Sequence, residues 1–260
     1  MLINQHKIIS HIIHPLIKFA FQSQHDKKAK SQEQHNQQQS ESSSSLSLIT
    51  SSIDLLNNLI DDNNICKTVT KTPKVLHSLT TLSIYQIGTH LSQENDQQTL
   101  ALRSSSRRCL HYIHQYGDAS VQSELVNANY TGVLVIAIST AGGHGEEQEF
   151  EIYMRLDYIS DFISNLNKGR YTSPSFPPQP ALAQISEEQI EVEGAIEELE
   201  AQLIYNGNSW NIKNSANIIK GYIMNFYIDW SNQRPDWYQK DQDEEYFDQE
   251  EEFGEEQDNV

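Results

Sequence analysis

Residues 132–140 read Gly-Val-Leu-Val-Ile-Ala-Ile-Ser-Thr, a stretch without a charged side chain in which Val133, Val135, Ile136 and Ile138 are β-branched. Branched Cβ atoms lose rotamer freedom in a helix and pack well on a pleated surface, so this run is expected to be a buried central strand. A glycine-rich stretch, 141–147, follows. Beyond it Phe150, Ile152, Met154 and Leu156 alternate with Glu149, Glu151, Tyr153 and Arg155, the period of a half-solvated strand. Two strands joined in this way predict a β-hairpin. Ile159, Phe162, Ile163 and Leu166 then recur at helical spacing over 158–166, and Lys168 with Gly169 supplies a basic last turn and a C-terminal glycine.

Apolar spacings of three and four predict further helices over 53–60, 74–91 and 105–116, the second opened by Pro73 and the third stopped by Gly117. Residues 170–185 hold Pro174, Pro177, Pro178 and Pro180 and are expected to be a loop. Ser186 and Gln189 have the spacing of a capping box opening a helix to about Tyr205. After a turn at Asn206-Gly207-Asn208, Ser215 is expected to cap a last helix. Its stripe of Ile218, Ile219, Tyr222, Ile223, Phe226, Tyr227 and Trp230 forms a broad aromatic face. The expected fold class is therefore α+β: helices packed on a small antiparallel β-hairpin, in a single domain over 53–237.

The flanks differ from this body and from each other. Segment 1–21 is amphipathic, with Ile8, Ile9, Ile12, Ile13, Leu16, Ile17, Ala20 and Phe21 along one side, and no acidic residue precedes Asp26. Pro15 is expected to kink or split it. Such a segment can dock on the chain's own core, lie on a membrane surface, or act as a mitochondrial presequence, although presequences are arginine-rich and this segment has no arginine. Residues 22–52 are rich in Gln, Ser, His and Asn and are expected to be a disordered linker. The region 238–260 is an acidic tail: from Asp241 onward it carries eleven Asp/Glu and no Lys or Arg, interrupted by Tyr246, Phe247 and Phe253. Self-repulsion favours an extended tail.

Charge sets the limits on function. With 18 Lys+Arg against 36 Asp+Glu, the formal net charge is −18, which disfavours a general nucleic-acid binder because phosphate contacts need a positive surface. No apolar run approaches the ~18 residues of a membrane span. Two cysteines, Cys66 and Cys109, make no disulfide framework and point to a reducing compartment.

Motifs for chemistry are sparse. Gly142, Gly143 and Gly145 suggest a phosphate loop, but Glu146 and Glu147 stand where a Walker loop needs Lys and Ser/Thr. His144 in that loop has no orienting partner visible in sequence. Cys109, His111 and His114 are the densest soft ligands, with Cys66, His77 and His90 as distant completions. His111 and His114 share a helical face and Cys109 does not, so no zinc set is expected. Arg107 and Arg108 are too small a basic patch to read nucleic acid. The Asn129-Tyr130-Thr131 sequon abuts the expected buried strand and is read as chance. There is no nucleophile elbow, Cys-x-x-Cys pair or His-Glu-x-x-His helix.

The expectation that follows is a non-catalytic intracellular interaction subunit or adaptor, cytoplasmic or nuclear, without metal or cofactor. Its contacts with protein partners, some of them basic, are assigned to Tyr222, Phe226, Tyr227 and Trp230 of the last helix and Tyr246, Phe247 and Phe253 of the tail. Two alternatives remain: an acidic chaperone for histone-like basic clients, and an organellar (mitochondrial) assembly subunit with a cleaved presequence. A site assembled from distant residues would leave no short motif.

Overall fold

The computed structural model describes residues 2–30, 39–139, 149–204 and 212–225. These residues form eleven helices: α1 (Leu2–Lys30), α2 (Gln39–Leu59), α3 (Asn63–Thr70), α4 (Val75–Ser83), α5 (Gln93–Tyr116), α6 (Ala119–Asn127), α7 (Tyr130–Ser139), α8 (Glu149–Lys168), α9 (Pro180–Val192), α10 (Ala195–Ile204) and α11 (Ile212–Asn225). Among the described residues there is no strand, only an isolated antiparallel bridge between Arg170 and Phe176. The protein is helical, and the α+β expectation with its hairpin is wrong.

The physical reason lies in burial. The β-branched run is α7, and Val133, Leu134, Val135, Ala137 and Ile138 are all buried. A segment apolar on every side fits equally well inside a sheet or inside a helical core, and tertiary packing overrides strand propensity. The alternating segment is the first part of α8. Its inward residues, Ile152, Leu156, Ile159, Phe162, Ile163 and Leu166, keep one spacing of three and four across both expected elements. The glycine-rich stretch with Gly142, Gly143, His144 and Gly145 lies outside the described residues.

The N-terminal expectations change as well. α1 runs through Pro15 without a break, and Ile9, Ile12, Ile13, Leu16 and Ala20 are buried where it packs on α2 and α4. The linker expected over 22–52 is entered by helix from both sides. Its C-terminal part belongs to α2, where Leu46, Ile49, Ile53 and Leu56 make a buried stripe. Averaged composition hid that stripe behind Ser42 to Ser45, because the polar residues occupy the helix start and the outward face.

α5 is the central element, in contact with α2, α3, α4, α6 and α8. Ser92 caps it by accepting from the Asn95 amide at 3.3 Å, with Glu94 and Asp96 in the first turn, and Gly117 follows its last turn. A Cβ at position 117 would overlap Val121 and approach the Ile113 carbonyl to 2.6 Å, so only glycine fits. The long helix expected over 186–205 is two helices, split at Gly194 with φ +72. Ser186 and Ser215 lie inside α9 and α11 and cap neither; Pro180 opens α9 at a first-turn position.

Candidate functional site

A cluster of buried titratable and amide side chains lies at the junction of α5, α6 and α8. α5 ends there with its last carbonyls unspent, the usual state of a helix C-terminus. Gln122 on α6 donates through Nε2 to the His114 carbonyl (3.0 Å) and the Gly117 carbonyl (2.9 Å). Arg170, just past α8, donates Nη1 to the same His114 carbonyl at 2.9 Å, Nη2 to the Gly117 carbonyl and Nε to the Pro174 carbonyl at 2.9 Å, while its guanidinium lies 4.7 Å over the Phe176 ring. A cation at a helix C-terminus also meets the negative end of the helix dipole. Gly169, with φ +81, turns the chain out of α8 so that Arg170 can reach inward. Arg103 and Arg107 do the same for α4, donating to the Tyr85 carbonyl at 3.2 Å and the Ser83 carbonyl at 3.1 Å.

His114 is fully buried beside this cap. Because Gln122 Nε2 is committed to carbonyls, its Oε1 faces His114 Nδ1 at 2.7 Å, which makes Nδ1 the donor. His114 Nε2 is 3.1 Å from Asp161 Oδ2 and 3.3 Å from Asn165 Nδ2, and Asn165 donates to Asp161 Oδ1 at 2.7 Å. Burial alone would raise the Asp161 carboxyl, but the hydrogen bond and charge of His114 outweigh it and hold the group below its usual range. One turn earlier, His111 stacks on Tyr158 with ring centroids 3.9 Å apart, and its Nδ1 has no hydrogen-bond partner among the described residues. Burial, then the His114 charge, push His111 down to about 4.

A second polar pair closes the far side of the junction. Asn63 and Asp118 exchange hydrogen bonds (3.2 and 3.1 Å), and Lys67 Nζ is 2.5 Å from Asp118 Oδ2. Partial burial works to raise the Asp118 carboxyl, and the bonds from Lys67, Ser120 and Asn63 reverse that, leaving it well below the ordinary carboxylate range.

The arrangement holds helix ends together. Both ring nitrogens of His114 are engaged by neighbouring side chains, and the ring itself is fully buried. Cys109 and Cys66 are buried free thiols; burial pushes Cys66 up to about 12 and Cys109 higher still, which keeps both as unreactive thiols. His111, His114 and Cys109 all point inward, whereas His77 is exposed on α4 and His90 lies 3.5 Å from Asp96. Among the described residues no three His, Cys, Asp or Glu are placed to share a metal ion. Arg107 is a buried cap and Arg108 faces Asp54 at 3.9 Å, so the adjacent pair is divided between interior and surface.

Of the expected contact residues, Tyr222 is carried by α11, and its side chain is not among those described. Phe226, Tyr227, Trp230, Tyr246, Phe247 and Phe253 lie outside the described residues. Large apolar side chains do reach the surface elsewhere. Leu48 is 63% and Leu55 48% exposed, seven residues apart on α2; with Ser52 and the half-buried Leu59 they form a stripe spaced by four, three and four. Ile8 and Phe21 are exposed on neighbouring α1. A crevice lined by Val135, Ile138, Ile159, Ile190 and Leu199 is apolar, and its free volume of about 10 Å³ suits nothing larger than a single water. No helix among the described residues is long and apolar enough to cross a membrane. The chain matches no known protein family, no curated protein and no solved structure.

Proposed function

We propose that the protein is a non-catalytic interaction subunit or adaptor that binds other proteins through its helical surface and its acidic tail. The observation that carries this reading is the α2 stripe: Leu48 and Leu55 stand in solvent at the spacing by which one helix packs on another. The polar junction supports it from the other side, since its histidines, carboxylates and arginine are used to tie helix ends together. The aromatic residues from Tyr222 to Trp230 and the tail aromatics Tyr246, Phe247 and Phe253 belong to the same proposed contact set.

Affinity capture with the full chain tests this against Leu48→Glu/Leu55→Glu in the same background. A partner retained by the parent chain and lost from the double variant, with the helical circular dichroism unchanged, is the expected result. Identical retention by both chains would rule the stripe out as a contact surface.

The eleven acidic residues that follow Lys240 favour one further reading, capture of basic clients. It predicts binding to a basic protein such as a histone that weakens steeply with salt. The docking of α1 on α2 and α4 supports a role for that helix within the folded body over a cleaved presequence.

A further inference from the structure

We infer that the surface formed by α1 and the start of α4 is a docking site for the chain's own acidic tail, residues 241–260. Charge in this molecule is separated to an unusual degree. α1 carries five lysines against the single Asp26, and residues 63–93 carry Lys67, Lys71 and Lys74 with no Asp or Glu, in a chain of net charge −18. The fold brings these two cationic segments together. Lys74 Nζ lies 5.7 Å from the Phe21 ring centroid, Phe21 packs on His25 with centroids 4.6 Å apart, and Gln24 reaches His77 (3.3 Å) and Thr81 (2.8 Å) on α4. Lys18 stands one turn before Phe21 on the same outward side.

Lys67 is spent on Asp118, but Lys18, Lys71 and Lys74 have no ion-pair partner among the described residues, and all three are exposed. Beside Lys74, and one turn along α1 from Lys18, Phe21 is 54% exposed, a large ring held open next to a cation. The complementary sequence is on the same chain: eleven carboxylates, no positive charge, and the rings of Tyr246, Phe247 and Phe253. Carboxylates answer the lysines and an aromatic answers Phe21. Tethering adds effective concentration, since more than thirty residues after α11 give ample reach. This deepens the interaction reading and rests on it for its consequence: a basic partner that takes the tail must displace it from this face.

Zero-length carbodiimide cross-linking of the full purified chain, read by mass spectrometry, tests the docking directly. The Lys67–Asp118 pair is an internal control that must form. Cross-links from Lys18, Lys71 or Lys74 to carboxylates within 241–260 are expected. In Lys74→Glu those remaining at Lys18 and Lys71 should fall several-fold while the control stays, and about 1 M salt, where the screening length is ~3 Å, should suppress them likewise. Control cross-links without any to the tail would overturn the inference. So would tail cross-links that, in a mixture of isotope-labelled and unlabelled chains, join two copies. Because the readout needs no second protein, its failure is separate from a failure to capture a partner.

Discussion

The two sides of α8 are packed by different chemistry. Toward α5 and α6 it presents Asp161, Asn165 and, just beyond its end, Arg170 to the His114 ring and to the buried last carbonyls of α5, which Gln122 also serves. Toward α7, α9, α10 and α11 it presents Ile159 to Val135, Ile138, Ile190, Leu199 and Ile219. The polar side is directional: its donors are aimed at particular carbonyls and ring atoms, so it fixes where one helix stops and the next begins. The apolar side is set by volume and tolerates exchange among aliphatic groups. In a fold built from short helices such as α6 and α10, many carbonyl ends must be satisfied, and an apolar surface alone supplies no donors for them.

The largest effect is expected where the polar side is broken. Arg170→Met removes donors from three carbonyls and leaves an apolar chain of similar length. Hydrogen bonds to charged groups contribute about 1.5–3 kcal/mol each, and Gln122 remains to serve two of the carbonyls, so a loss of about 3 kcal/mol is expected in a denaturant titration. Ile159→Val across the helix should cost only about 0.5–1.5 kcal/mol. Equal losses would mean that the two sides do not differ in the way described.

Acid sharpens the same contrast through His111. Its ordinary value is 6.5 and its folded value about 4, lowered first by burial and then by His114. The unfolded chain therefore takes up the proton before the folded one does. Above pH 6.5 the ring is neutral in both states and adds no pH dependence; from 6.5 down to about 4 stability falls, by roughly 3 kcal/mol in all. His111→Phe keeps the stack on Tyr158 and should flatten that stretch of the stability–pH curve. Asp161 acts in a lower window, because its folded value lies below the ordinary carboxyl value of 3.8 and its contribution is lost only as pH falls beneath that. A variant whose curve still fell between 6.5 and 4 would show that His111 is not the titrating group.

Much of this was legible and some was not. The inward residues of α5 (Leu110, Ile113), the stop at Gly117, and the end of α8 at Lys168 with Gly169 all follow from local spacing and local chemistry. The identity of α7 does not, because Val133 to Ile138 is apolar all round and has no period to read. Read across both pieces, the spacing from Ile152 through Leu166 would have joined them into one helix. The polar junction was invisible for another reason. His114 and Gln122 lie near each other in sequence, but Asp161 and Arg170 are about fifty residues further on. Gln189, expected as a capping residue, instead crosses to α6 and α7, donating to the Val126 carbonyl at 2.8 Å and accepting from Thr131 at 2.9 Å.

The smallest effect is expected at Tyr130, where the two kinds of packing meet. Its ring stands edge-on to Phe162 at 5.1 Å, and Phe162 in turn lies edge-on to His114 at 5.0 Å. The Tyr130 hydroxyl is fully buried and has no hydrogen-bond partner among the described residues. A hydroxyl taken from water without a new partner costs stability, so Tyr130→Phe removes a penalty and keeps the ring contacts. The unfolding free energy from a denaturant titration should stay level or rise, by no more than about 1 kcal/mol. A drop of that size would mean that the hydroxyl is bonded after all, with a buried water as the simplest donor or acceptor, and the polar side of α8 would then extend one residue further into the apolar core than its side chains alone imply.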